Sequence, residues 1–152
     1  MLTVACVFSG GPTYTREHVF RLKCLVGQHM EQPHRFVVVD DSPFDGWWAK
    51  ISLFQPGRFQ GRVLYLDLDT TPVGNLDDVA DFPHTFAIMR DPNIQLSYNS
   101  SVMAWDAGYA DHLFLDFIPD HHIPQLRRGD QQWITEQKPE AICFPREWCV
   151  SY

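Results

Sequence analysis

The sequence predicts an α/β/α sandwich built on a mixed central sheet, and three features of the chain support this fold class. Short apolar runs recur at lengths suited to buried strands. An amphipathic segment of helical length follows the first of them. Short strands and helices then alternate, an order typical of one layered α/β domain. With 152 residues, the chain is long enough to bury a sizeable core.

The chain opens with a predicted strand, a tight turn and a helix, the order expected at the start of a nucleotide-binding type of sheet. The strand, residues 2–8, is followed by a turn with two adjacent glycines. Either Thr13 or Thr15 can cap the helix, which has Glu17 in its first turn. The apolar face of that helix is formed by Val19, Leu22, Val26 and Met30.

The second predicted strand, residues 35–41, is apolar until it ends in two acids. Asp40 and Asp41 either start the turn that follows or accept hydrogen bonds from a base or ribose. The next segment, 44–59, is irregular and aromatic, with one helical turn expected around Lys50. Lys50 would then project beside the carboxyl edge of the sheet.

The third predicted strand, residues 62–68, is the most informative stretch of the chain. It is an apolar run that meets Asp67 and Asp69 and then breaks at Thr-Thr-Pro. A run this apolar is expected to be buried on both faces of a parallel sheet, whose carboxyl edge is where α/β proteins bind ligands. Alternate side chains on a regular strand share a face, so the two carboxylates could hold one hard divalent cation. Alternatively, Asp69 caps a turn and Asp67 is a solvated strand end.

The second half is predicted to contain shorter elements. A helical turn, two strands, two helices and two apolar runs are expected at 75–79, 85–89, 101–105, 109–117, 131–136, 141–144 and 148–150. Asp130 is well suited to cap the last helix. Because no repeat or linker interrupts the chain, residues 1–152 are predicted to form a single domain.

Composition narrows the classes of function. A formal charge of −7 argues against a general nucleic-acid binder, which needs a basic face. Hydrophobic residues at 45% and charged residues at 20% indicate a folded globular protein. The four cysteines form no CxxC pair and are expected to be free structural thiols. No run has the length of a membrane span or the form of a signal peptide, so a cytoplasmic location is expected.

Three segments together resemble the GT-A glycosyltransferases, in particular the family-8-like, retaining enzymes that use nucleotide sugars. Residues 61–78, which include Leu-Tyr-Leu-Asp-Leu-Asp-Thr-Thr-Pro, resemble the DxD segment of that family and the turn after it. Residues 98–105 are similar to its Asn-Ser-Gly strand, and Asp130-Gln131 to the start of its later Asp-Gln helix. The segments follow the family's order over nearly the whole chain. The resemblance implies a GT-A, Rossmann-like sandwich.

The resemblance also implies a reaction. A hexose would pass from a nucleoside diphosphate sugar, with uridine the expected base, to a saccharide or another hydroxyl acceptor. Asp67 and Asp69 would bind Mn²⁺ or Mg²⁺ that bridges the diphosphate of the donor. Asp130, Gln131 and Asn99 would be the catalytic residues near the reacting carbon. The residues expected to bind the donor are Phe8, Ser9, Gly10, Asp40, Asp41, Lys50, Asn99 and Ser100.

The chain departs from the family pattern in two places, and two alternatives stay open. Ser101 stands where the family has glycine, so the backbone there is expected to allow a less close approach. Family members also take a histidine ligand from a C-terminal segment that this chain lacks, so a truncated or minimal form is expected. His121 and His122, in a predicted loop, are poor substitutes. The alternatives are a domain that binds nucleotide or sugar without turnover, and a haloacid-dehalogenase-like phosphatase, whose DxDxT motif residues 67–71 also fit.

Overall fold

The computed structural model describes residues 1–138 and 140–150, and it confirms the predicted α/β fold with a mixed sheet. The six strands are β1 Leu2–Val7, β2 His34–Val39, β3 Arg62–Leu66, β4 Phe86–Arg90, β5 Tyr98–Asp106 and β6 Ile142–Cys143. The helices are α1 Arg16–His29, α2 Leu76–Ala80, α3 His112–Leu115, α4 Pro119–His122 and α5 Asp130–Gln137, with a 3₁₀ helix at Gly46–Phe54. In residues 1–138 and 140–150, no helix has both the length and the apolar character needed to cross a membrane.

The directions of the strands place the C-terminal ends of five of the six described strands at the same edge of the sheet. The sheet runs β2-β1-β3-β5-β4-β6, and only β5 is antiparallel to its neighbours. The C-terminal ends of the other strands therefore share one edge with the N-terminal end of β5. We call this the carboxyl edge. It is the place where open α/β sheets bind ligands.

The sheet is buried on both faces, which explains why its strands are nearly continuous apolar runs. Alternate residues of β3 point to opposite sides: Val63 and Tyr65 join one apolar cluster, and Leu64 and Leu66 join the other. The first cluster packs beneath the 3₁₀ helix, α3 and α5 and contains Trp48, Ile51, Phe54, Trp105, Leu113, Trp133 and Ile134. The second packs beneath α1 and α2 and contains Leu22, Val26, Met30, Leu76 and Val79.

The start of α1 confirms one of the two predicted caps. The Thr15 hydroxyl accepts a hydrogen bond from the backbone N–H of Glu17 at 3.3 Å, and the backbone N–H of Thr15 donates to His18 Nδ1 at 3.1 Å. This reciprocal arrangement satisfies donors that the first helical turn leaves free. All four cysteines are free thiols, as predicted.

Several predicted boundaries were wrong. Strand β3 ends at Leu66, because the chain then turns and the N–H of Thr70 donates to the carbonyl of Asp67 at 3.0 Å. Strand β5 begins three residues earlier than predicted, at Tyr98. The predicted helix at 109–117 is reduced to α3, and the loop expected around His121 contains α4. Residues 148–150 form no strand.

Candidate active site

A buried network of charges lies at the carboxyl edge, around the ammonium group of Lys50. The 3₁₀ helix directs Lys50 toward the end of β3, where its Nζ donates to Asp67 Oδ2 at 2.9 Å and to Ser100 Oγ at 3.1 Å. The Ser100 hydroxyl in turn donates to Asp130 Oδ2 at 2.5 Å, and Lys50 Nζ lies 3.8 Å from the same oxygen. We call Lys50, Asp67, Ser100 and Asp130 the Lys50 network. It joins the 3₁₀ helix, β3, β5 and α5.

Burial and charge shift the proton affinities within this network. Burial alone would lower the pKa of Lys50, but the attraction of Asp130 and Asp67 outweighs it and raises that pKa above its ordinary value. Loss of water raises the pKa of the Asp130 carboxyl, an effect that Lys50 and Ser100 only partly offset. The side chains of Lys50 and Asp130 are only 14% and 5% exposed, so solvent screens their interaction weakly. At neutral pH the network holds a fixed ammonium between two acids.

Tyr65 contacts the Lys50 network through Asp67. Its hydroxyl donates to Asp67 Oδ1, while Lys50 binds the other oxygen of the same carboxylate. Burial, followed by the charge of Asp67, raises the pKa of Tyr65 well above 10. Tyr65 therefore remains a neutral donor that holds Asp67 in one orientation.

Asp69 has a different environment from Asp67. The hydroxyl of Tyr14, just before α1, donates to Asp69 Oδ2 at 2.8 Å, and this bond raises the pKa of Tyr14 to about 12. Asp67 thus contacts the layer that contains the 3₁₀ helix, whereas Asp69 contacts the α1 side. The expectation that the two acids share a strand face was wrong, because β3 ends before either of them. Their charges still act together, since both raise the pKa of Lys50.

Both oxygens of Asp67 and Oδ2 of Asp69 already accept hydrogen bonds, so a divalent cation would use their remaining lone pairs and would need ligands from elsewhere. Within residues 1–138 and 140–150, no group of three or more His, Cys, Asp or Glu side chains could enclose a metal. Mg²⁺, however, is commonly held by one or two carboxylates together with substrate phosphates and water. Two acids, Asp67 and Asp69, near one exposed edge fit that kind of shared site. They would hold the cation with a bound diphosphate.

The ends of β1 and β2 form a second polar cluster at the same edge. Phe8 follows β1, and the Arg16 guanidinium lies 5.2 Å from its ring centroid. The same arginine bonds Asp40 Oδ2 at 3.3 Å. Asp41 instead bonds Arg58 at 2.8 Å, and this hydrogen bond lowers the pKa of Asp41. The structure therefore brings Phe8 and Asp40 together through Arg16 but separates Asp41 from them.

The exposed turn after β1 contains the two remaining residues predicted to bind the nucleoside. Ser9 and Gly10 are both exposed at the carboxyl edge. Gly10 has φ +73°, a backbone conformation that favours glycine. A ligand could approach this backbone closely.

The start of α5 is fixed by a close contact with the 3₁₀ helix. Gly129, with φ +68°, is the N-cap, and Asp130 is the first helical residue, so the prediction that Asp130 caps the helix was wrong. A Cβ atom on Gly129 would lie 2.7 Å from Trp47 Nε1, so any larger residue would force the indole to shift. Trp47 is itself 61% exposed. It presents an aromatic surface beside the buried carboxylate of Asp130.

Gln131 and Asn99 lie near the network without joining it through a hydrogen bond among the described residues. Gln131 is half-buried in the first turn of α5. Asn99 lies in β5 beside Ser100, and its Oδ1 accepts from the backbone N–H of Ser101 at 2.9 Å. The amide nitrogen of Asn99 is therefore directed away from that bond.

The paired histidines contribute to the helical layer. His122 Nδ1 accepts from the backbone N–H of Ile118 at 2.9 Å, and its ring packs 4.5 Å from Trp133 between centroids. His121 contacts Gln125 on the exposed side of α4. His122 thus packs within the helical layer, and His121 lies at its exposed side.

Sequence reasoning missed Tyr65, Tyr14, Arg16 and Trp47. Tyr65 could have been found, since a residue two positions before Asp67 on a strand points to the same side. Tyr14 lies 55 residues from its partner Asp69, and no local pattern signals such a pair. The contact of Trp47 with Gly129 likewise depends on the tertiary fold.

Comparisons with known proteins agree with this architecture. No family model and no curated protein matches the chain. The crystal structure of the glycosyltransferase GlyE in Streptococcus pneumoniae TIGR4 matches 96% of this chain with a TM-score of 0.72 and 14% identity. The apo form of GlyE matches 95% with a TM-score of 0.65 and 14% identity. This chain spans 45% of the length of either GlyE chain. At this identity the likeness concerns architecture, and the chain shares the mixed α/β fold of the matched part of GlyE.

Proposed function

We propose that this chain is a metal-dependent glycosyltransferase domain that binds a nucleoside diphosphate hexose, with uridine as the expected base, and transfers the hexose to a saccharide or another hydroxyl acceptor. The observation that carries the proposal is the Lys50 network at the carboxyl edge of the sheet. Burying a charged group costs free energy unless a partner of opposite charge compensates it. Buried groups with perturbed pKa values therefore often mark functional sites. The fold shared with GlyE supports the same class of enzyme.

In this proposal the two acids and the lysine meet the diphosphate of the donor. Asp67 and Asp69 would hold Mn²⁺ or Mg²⁺, which would supply Lewis-acid stabilisation of the negative charge on a leaving nucleoside diphosphate. Lys50, whose raised pKa keeps it protonated, supplies a second positive charge at the same place. Tyr65 holds the Asp67 carboxylate in position.

The remaining predicted residues act on the two ends of the donor. Phe8, with the exposed backbone at Ser9 and Gly10, offers a ring and polar groups to the base, and Asp40 offers an acceptor to the ribose. At the other end, Asp130 is fixed by Ser100 and can orient the hydroxyls of the hexose. Asn99 and Gln131 lie beside it for contacts near the reacting carbon.

A thermal shift experiment with UDP or GDP, each with Mn²⁺ or with a chelator, tests the site. A specific ligand at about 100 times its dissociation constant adds roughly 2.7 kcal/mol, which raises the Tm of a domain of this size by about 5 to 10 °C. We expect that rise only with UDP and Mn²⁺ together. Asp67→Asn should abolish it.

Asp106→Asn is the matched control. Asp106 ends β5 at the opposite edge of the sheet and pairs with Arg62 at 3.3 Å, so this variant loses the same charge without touching the site. It should keep the full ligand-induced rise. An equal response of both variants, or none in the wild type, would overturn the proposal.

Turnover separates the proposed enzyme from the two alternatives. Release of UDP from UDP-glucose in the presence of Mn²⁺ would contradict a domain that only binds nucleotide or sugar. Hydrolysis of p-nitrophenyl phosphate that depends on Asp67 would favour the phosphatase instead. No contact among the described residues favours the phosphatase.

A further inference from the structure

A cavity lies at the carboxyl edge of the sheet, beyond the Lys50 network. It is an open cleft of about 680 Å³ next to the ends of β4 and β6. Its walls are residues 90–96, which connect β4 to β5, and residues 144–146, which follow β6. A volume of this size is in the range of small-molecule sites.

The cleft contains two positive charges that no described residue neutralises through an ion pair. Arg90 and Arg146 both line it, both are exposed, and neither forms an ion pair with any of the described residues. Asp91 is the one acid among the described residues that line the cleft, and its carboxylate already has partners. Asp91 Oδ1 accepts from the backbone N–H groups of Asn93 and Ile94 at 2.8 and 3.1 Å, and Oδ2 lies 3.9 Å from Arg128.

The cleft is basic in a chain whose formal charge is −7. Among the described residues, six of the twelve Lys and Arg side chains form an ion pair, and Arg90 and Arg146 are two of the six that do not. Two free guanidinium groups on one concave surface therefore favour an anionic ligand. Arginine binds carboxylate and phosphate groups through paired hydrogen bonds.

Hydrogen bonds and short stretches of chain link the walls of the cleft to the Lys50 network. Arg128 donates to Ser97 Oγ at 2.6 Å, and the N–H of Asp91 donates to the Ser97 carbonyl at 3.0 Å. Ser97 directly precedes β5, which contains Ser100, and Arg128 is two residues before Asp130. Only β5 separates β3 from β4, so their ends are about 10 Å apart across the sheet.

We propose that this cleft binds the acceptor of the transfer reaction, and that the acceptor is a saccharide with a carboxylate or phosphate group. The inference rests on the proposed function, since it assigns the second substrate of the same site. Arg90 and Arg146 bind the anionic group. Ile94 and Leu96, which are 41% and 82% exposed, offer apolar surface to the sugar ring.

Titration of the whole protein by calorimetry with glucuronate, glucose 6-phosphate, glucose and inorganic phosphate tests this assignment. We expect one or both sugar anions to bind, glucose to bind at least about tenfold more weakly, and phosphate alone to bind more weakly than glucose 6-phosphate. Comparison of the two sugar anions shows which anionic group the arginines select. Saturating UDP with Mn²⁺ should not compete with glucuronate or with glucose 6-phosphate for binding.

Two double variants that remove the same charge serve as the test and its control. Arg90→Gln with Arg146→Gln should weaken binding of the sugar anion at least about tenfold and leave the thermal shift by UDP and Mn²⁺ unchanged. Arg21→Gln with Lys23→Gln removes the same charge from exposed positions of α1 and should change neither.

Each outcome decides between the two proposals. Equal binding of glucose and the sugar anions, competition by UDP, or equal effects of the two double variants would overturn the cleft assignment while donor binding stands. Absence of nucleotide binding in the wild type would overturn the proposed function, and would remove the acceptor role even if the sugar anions bind at the arginines.

Discussion

Replacing Lys50 by methionine removes the one cation of a buried network that has two carboxylates. Lys50 lies 2.9 Å from Asp67 and 3.8 Å from Asp130, and the side chains of these acids are 19% and 5% exposed. Breaking a buried ion pair by removing one partner typically costs about 3 to 5 kcal/mol, because a charge is left without compensation. For a domain of about 150 residues, this cost lowers the Tm by roughly 6 to 20 °C. Methionine keeps most of the apolar stem, so little of this loss comes from packing.

The destabilisation should depend on pH in a defined direction. The folded protein already raises the pKa of Asp130 above 3.8, and loss of Lys50 raises it further. A carboxyl whose pKa is higher in the folded state binds protons more readily there, so its contribution to stability is present at low pH and is lost as pH rises through the raised value. The difference in Tm between Lys50→Met and wild type should therefore shrink as the pH falls from 7 toward 5.

Thermal unfolding followed by circular dichroism at both pH values measures this effect. Lys23→Met, at an exposed position of α1, is the control and should change the Tm by no more than a degree or two. A loss below about 2 °C for Lys50→Met at pH 7 would refute the network as an energetic unit. An equal loss at both pH values would refute the role assigned to Asp130.

Three further predictions concern other parts of the molecule. Gly129→Ala should lower the stability by about 1 to 3 kcal/mol in chemical denaturation, because of its positive φ and the contact with Trp47; no loss would show that the turn can relax. In thiol labelling resolved by mass spectrometry, exposed Cys24 should react at once, whereas Cys6, whose pKa burial raises to about 12, should react only on unfolding. Thr15→Ala should cost about 1 kcal/mol through the lost helix cap, and an unchanged denaturation midpoint would contradict that role.

Much of the fold could be predicted because its signals are local. Each central strand is buried on both faces and so is a continuous apolar run, as β3 shows. The cap at Thr15 and the apolar face of α1 follow from a helical period and a short-range hydrogen bond. Boundaries were less predictable. Strand β5 starts at Tyr98 because pairing with β4 recruits polar residues that have no apolar signal of their own.

The four residues of the Lys50 network were all among those selected from the sequence, but their arrangement was not predicted. The sequence indicated that Lys50 would project beside the carboxyl edge, and in the structure its Nζ bonds Asp67 at that edge. It could not indicate that Asp67 and Asp69 face different layers, because that depends on where pairing with β5 ends. Nor could it indicate that Ser100 would bridge Lys50 to Asp130, since those residues are 30 or more positions from Ser100 and meet only through the fold.

The carboxyl edge is divided by charge, and this division bears on how one surface could bind two substrates. Near the end of β3, Asp67 and Asp69 outnumber the single ammonium of Lys50, so in the proposed function an anionic donor would bind there together with a cation. Near the ends of β4 and β6, Arg90 and Arg146 would bind an anion directly. A free anionic saccharide would thus be repelled from the acidic end and attracted to the basic end. The same electrostatics would keep the acceptor from occupying the donor site before the donor and its cation arrive.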